Sequence, residues 1–74
     1  MLKIQNVEIN TPFIKLDSLL KFAGISPDGV SAKQMILAGM VKVNGEQCLM
    51  RGKKIHPGDA VIIDGIKIMV KEQA

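Results

Sequence analysis

The chain has 74 residues, 47% of them hydrophobic, with ten Lys and Arg against seven Asp and Glu for a formal charge of +3. That length makes one small domain, and that apolar fraction excludes a disordered polar chain. With no Trp, no Tyr and two Phe, the core must be Leu, Ile, Val and Met, and the aromatic platform on which single-stranded bases usually stack is missing.

Leu2, Ile4, then Val7 and Ile9 alternate, with Gln5-Asn6 breaking the phase, so a strand with a kink or bulge near Asn6 is predicted. Thr11-Pro12 ends it, since proline donates nothing to a ladder. Leu16, Leu19, Leu20 and Ala23 then recur at the three-and-four spacing of one helical stripe, with Gly24 as the C-terminal stop. Ser26-Pro27 reads as a cap and first-turn proline, which starts a second helix near Pro27 and carries it to about Ala38, with Gly29 weakening its first turn. Along that helix Ala32, Met35, Ile36 and Gly39 share a face, while Lys33, Gln34 and Leu37 lie away from it. Two short helices in succession have the outline of a helix-turn-helix.

Gly39 stops the second helix, and Val41-Lys42-Val43 follows as a strand whose valines face the core and whose lysine faces away. Asn44-Gly45 is a strong hairpin signal, so Glu46 to Leu49 should pair back on it. Met50-Arg51-Gly52-Lys53-Lys54 turns the chain, Ile55 starts a short extended piece, and Pro57-Gly58 turns it again. Ala60 to Ile63 and Ile66 to Val70 flank Asp64-Gly65, a second hairpin signal of the same type. In the last strand Ile66, Ile68 and Val70 share one face and Lys67, Met69 and Lys71 the other. The five methionines sit at apolar positions and read as core filler. The order of elements gives an α+β domain spanning residues 1–74: two short helices packed on a small, mostly antiparallel sheet of about four to five strands.

Charge is unevenly placed. Residues 42–54 hold four basic side chains against one acidic one, whereas the rest of the chain is nearly balanced. Cations gathered in one hairpin suit a phosphate-bearing partner. Cys48 is alone, which excludes a disulfide framework, and with a single His56 no metal constellation or cofactor is expected. Asp17 has no second carboxylate at a matching spacing and is expected to accept a structural hydrogen bond. Cys48 is expected to be a small buried hydrophobe, and His56, before Pro57-Gly58, an exposed turn residue. No triad, Walker loop or dinucleotide fingerprint is present, so neither an enzyme nor a small-molecule site is expected. No run approaches the roughly 18 apolar residues of a membrane span and no apolar leader opens the chain, from which a cytoplasmic protein is expected.

The ordered set Leu16-Asp17-x-x-Leu20, Gly24, Ala32-Lys33-x-Met35-Ile36-x-x-Gly39-x-Val41-x-Val43-Asn44-Gly45 and Gly58-Asp59-x-Val61 resembles the S-four RNA-binding domain, the αL motif. The likeness covers residues 14–63. The short chain and its Arg51-Gly52-Lys53-Lys54 block look like the small stand-alone bacterial members, the YaaA/YbcJ-like group. The resemblance implies non-catalytic binding of structured RNA, ribosomal or transfer RNA, with the ribosome as a further partner. Carried over by position, it implies RNA contacts from Lys15, Lys33, Lys42, Arg51, Lys53 and Lys54. One departure stands out: many members carry Ser-Arg at the start of the second helix, where this chain has Asp28-Gly29. An acid there moves the expected binding towards the hairpin. Two other readings are a protein-interaction or ribosome-assembly module using its sheet edge, and a helix-turn-helix-like DNA binder. The second would have only Lys33 and Gln34 to reach base edges.

Overall fold

A computed structural model describes residues 2–73. The elements run β1 (Lys3–Ile9), β2 (Ile14–Lys15), α1 (Leu16–Phe22), α2 (Gly29–Leu37), β3 (Val41–Val43), β4 (Glu46–Gln47), β5 (Lys54–Ile55), β6 (Ala60–Ile63) and β7 (Ile66–Glu72). Five strands form one sheet in the order β1-β7-β6-β3-β4, and β2 pairs with β5 in a separate two-stranded ladder. The architecture is the expected α+β. The main sheet is antiparallel except at β1, which pairs with β7 in parallel.

Pairing across the sheet explains which residues enter the core. Val41 lies opposite Ile63 and Ile63 opposite Ile66, while Val43, Val61 and Ile68 form the next row. These valines and isoleucines point to one face, where Leu16, Leu19 and Leu20 of α1 and Ala32 and Ile36 of α2 cover them. Leu19, Leu20, Ile36, Val41, Val61 and Ile68 are all sealed from solvent. The helices therefore lie on a single side of the sheet, and its other side is uncovered.

The register of β1 is unbroken from Lys3 opposite Ile66 to Ile9 opposite Glu72, so the expected kink at Asn6 is absent. The phase break has a different cause. Gln5 takes a core-side position in line with Val7 and Ile9, and its Nε2 donates to the carbonyl of Ala23 at 2.7 Å. An amide there is tolerated because that bond satisfies it, and Leu2 and Ile4 are left exposed.

Both helices end as their glycines predict. Gly24 (φ +78°) donates to Lys21 O and Ile25 donates to Leu20 O; Gly39 (φ +79°) donates to Ile36 O and Met40 to Met35 O. Each pair is the two-bond Schellman closure. The start of α2 differs from expectation: the cap is Asp28, whose Oδ1 accepts from the Ser31 backbone N–H at 2.8 Å, and the helix begins at Gly29. That Ser31 N–H bond holds the Asp28 carboxyl below the ordinary carboxylate value. Ser26 is buried and its hydroxyl donates to Asp28 O, so it shapes the turn without capping the helix.

Asn44 (φ +52°) with Gly45 (φ +87°), and Asp64 (φ +47°) with Gly65 (φ +74°), make the two predicted hairpin turns. The strand expected over Glu46 to Leu49 stops at Gln47, although Cys48 N still donates to Val41 O. Cys48 is half-buried against the core. The methionines are only partly core filler. Met35 packs on the core, Met69 is half-buried in the sheet, Met40 and Met50 are exposed, and Met1 lies outside the described residues.

Candidate nucleic-acid interface

Sequence patterning gives no hint of the β2–β5 ladder, yet its junction gathers four of the six basic residues expected to contact RNA. Ile14 lies opposite Ile55 and Lys15 opposite Lys54. Ile55 is fully buried and Ile14 packs on the core, so the ladder's other face, with the two lysines, is turned to solvent. Two backbone bonds extend the junction: Leu16 N donates to Lys53 O at 2.9 Å and Asp17 N to Arg51 O at 3.1 Å. The first turn of α1 is thus fastened to the 51–54 turn, and Lys15, Arg51, Lys53 and Lys54 come together at one corner.

Directly opposed residues in an antiparallel ladder have Cα atoms about 5 Å apart, and like charges so placed repel. Lys15 and Lys54 hold that arrangement, and neither is in an ion pair. Among the described residues, the one base-to-acid contact is His56 Nδ1 to Asp59 Oδ2 at 3.8 Å, and no Lys or Arg forms an ion pair. The Lys54 ammonium sits 4.9 Å from the Phe13 ring centroid, and the Phe13 and His56 rings are 6.1 Å apart at a tilt of 52°. A cation over an aromatic face is weakly held and still free to donate. The Thr11 hydroxyl donates to Phe13 O at 2.8 Å and shapes the turn that delivers this ring.

The corner is tied to the hairpin through Asp59. Its Oδ2 accepts from the His56 backbone N–H at 2.8 Å and its Oδ1 from Asn44 Nδ2 at 3.2 Å. Asn44 Oδ1 in turn accepts from Ala60 N at 2.9 Å. The His56 N–H, helped by the Asn44 amide and by the nearby charges of His56 and Lys53, holds the Asp59 carboxyl below its ordinary value against the opposing effect of burial. Asn44 therefore does two jobs, turning the β3–β4 hairpin and fastening it to the 56–59 turn.

Helix amides add little to this site. The first two N–H groups of α1 are already bonded to the 51–53 carbonyls, and the Ser31 N–H of α2 is taken by Asp28. The cations the corner offers are therefore those of its side chains. Asp17 accepts from its neighbour Ser18 N at 2.7 Å, the structural role expected of it, and His56 is exposed as expected. Lys33 lies on the solvent side of α2, outside the contacts that build the corner. Lys42 is exposed on β3 between two core valines, and so points to the side of the sheet away from the helices. The structure brings together four of the six residues predicted from the sequence and holds these two apart. Phe13 was not among the six. Its signal, an aromatic beside a proline turn, gains meaning only when β5 arrives opposite it.

Residues 7–71 match the family model described as the S4 domain. The chain is also 37% identical over 59 residues to the probable ribosome maturation protein RlbA of Bacillus subtilis (strain 168), covering 80% of this chain and 83% of that protein. With the helix pair, the Asn-Gly hairpin and the Gly58-Asp59 turn in the positions the motif requires, the chain belongs to the S4 domain family.

Proposed function

We propose that this protein binds structured RNA non-catalytically, through the corner formed by Lys15, Arg51, Lys53 and Lys54, in the course of ribosome maturation. The observation that carries the reading is the opposition of Lys15 and Lys54 with neither in an ion pair, an arrangement that costs stability until an anion lies between them. Family membership supports RNA as that anion, and the relative's name supports the ribosome as its setting. Ribosomal RNA is the favoured partner and the cytoplasm the compartment. Contacts run to phosphate and 2′-hydroxyl groups, so shape outweighs base identity.

The test is a titration of a ribosomal RNA hairpin and a duplex DNA of equal length at two or more salt concentrations. Four phosphate contacts give a log-log salt slope of about −3 to −4. The variant Arg51→Glu/Lys53→Glu/Lys54→Glu should lose about a hundredfold in RNA affinity at low salt with no fall in melting temperature. Undiminished binding by that variant, or equal binding of hairpin RNA and duplex DNA, overturns the reading.

A further inference from the structure

The side of the main sheet that the helices leave open carries an ordered set of residues that the RNA corner does not use. One cross-strand row runs Ile4, Lys67, Ile62, Lys42 and Gln47 over all five strands. Met69 lies in the next row between Asn6 and Ala60, and Lys71 lies beyond it opposite Glu8. Ile4 is 62% exposed, and Ile62 and Met69 are half-buried. Ile4, Ile62 and Met69 flank Lys67 near the middle of this surface, Lys42 and Lys71 lie to either side, none of the three lysines is in an ion pair, and Glu8 is the acid within these rows.

We propose that this open face docks an acidic amphipathic helix of a partner protein, its apolar stripe on Ile4, Ile62 and Met69 and its carboxylates reaching Lys42, Lys67 and Lys71. Charge complementarity selects that occupant. A second copy of the chain laid on this face would bring lysines against lysines. RNA would find three cations here spread over two rows, one of them at β7's end, interleaved with aliphatic side chains that phosphate does not favour, whereas the corner gathers four. Aliphatic side chains interleaved with unpaired lysines suit a helix that carries both apolar anchors and carboxylates. The surface lies on the opposite side of the sheet from the helix layer, so RNA and a protein partner can be held at once.

The probe is a synthetic helix of about 18 residues with a leucine stripe flanked by glutamates, and a control with lysines in place of the glutamates. Fluorescence anisotropy compares the full chain, an Ile4→Ser/Lys42→Glu/Lys67→Glu variant, and a Lys53→Glu/Lys54→Glu variant. The acidic helix should bind the parent and the 53/54 variant alike, and bind the 4/42/67 variant at least about tenfold more weakly. The control helix should not bind. Amide chemical-shift changes in the parent should map to Lys42, Ile62, Lys67 and Met69 and spare Lys15, Lys53 and Lys54, a readout independent of how well any variant folds. Equal binding of the two helices, shifts elsewhere, or an unaffected 4/42/67 variant overturns the proposal. Loss of hairpin-RNA binding by the 4/42/67 variant as large as by the 53/54 variant assigns the face to RNA and also overturns it.

Discussion

The main sheet and the basic corner are built on opposite principles. In the sheet, strands of up to seven residues pair in long registers, and each core side chain is supported by neighbours on two or three strands. In the corner, two strands of two residues each hold four cations with a handful of backbone bonds. Redundant packing makes the first region tolerant and stable. The second has little to lose before its geometry fails, so its stability and its binding are separable from those of the sheet.

Truncation in each region tests that separation. Ile68→Ala opens a void under the sheet centre, where surrounding strands cannot collapse, and should cost about 3–4 kcal/mol with global loss of structure by thermal melting. Ile55→Ala removes an equally buried side chain, but beneath a short ladder that can settle, and should cost about 2 kcal/mol. The affinity for hairpin RNA should fall further with Ile55→Ala, measured well below both melting transitions. Equal costs with RNA affinity unchanged in Ile55→Ala would show that the corner is not a separate unit.

The Asn44-Gly45 turn joins the two regions, and its failure should appear first as stability. Gly45 has φ +87°, which a β-branched side chain adopts only under strain, although no atom stands in the way of a Cβ. Gly45→Val should cost about 1–3 kcal/mol, and equal melting temperatures for variant and parent would refute it. Asp59 fastens the same joint. Asp59→Asn weakens a carboxylate that accepts from a backbone N–H and an amide, for about 1–2 kcal/mol. Because the folded state depresses the Asp59 pKa, its contribution is present above the unfolded value near 3.8 and is lost as pH falls through the folded one. Acid melting below about pH 4 should therefore be shallower in Asp59→Asn than in the parent.

The same contrast decides what the sequence could reveal. Val41, Val43, Ile66, Ile68 and Val70 announce their strands by alternation, Leu16, Leu19 and Leu20 announce a helix, and Asn44-Gly45 and Asp64-Gly65 announce their turns, because each signal is local and periodic. A two-residue strand has no period, so Ile14-Lys15 and Lys54-Ile55 were invisible as partners. Gln5 disguised the phase of β1, since its core position depends on a carbonyl 18 residues away. Ser26-Pro27 carries the sequence signature of a cap, but the bond from Ser31 N–H makes Asp28 the cap, a choice between two candidates that only the backbone path decides. The clustering of Arg51, Lys53 and Lys54 is legible from their adjacency, but that Lys15 joins them while Lys42 does not depends on where α1 and the 51–54 turn exchange backbone bonds.

The smallest expected effect separates the regions most sharply. Lys15 and Lys54 face each other across the ladder, and both are exposed, so solvent screens much of their repulsion. Removing one charge should still relieve it. Lys15→Gln keeps a long side chain on the strand and should stabilise the protein by about 0.2–0.5 kcal/mol at low salt, the gain vanishing as salt rises. The same change removes one phosphate contact and should weaken hairpin-RNA binding and reduce its salt slope by about one. Stability rising while affinity falls is the signature of a charge retained for a ligand, since a lysine kept for the fold would lose both together. Melting curves and RNA titrations on the single variant at matched salt measure the two signs directly.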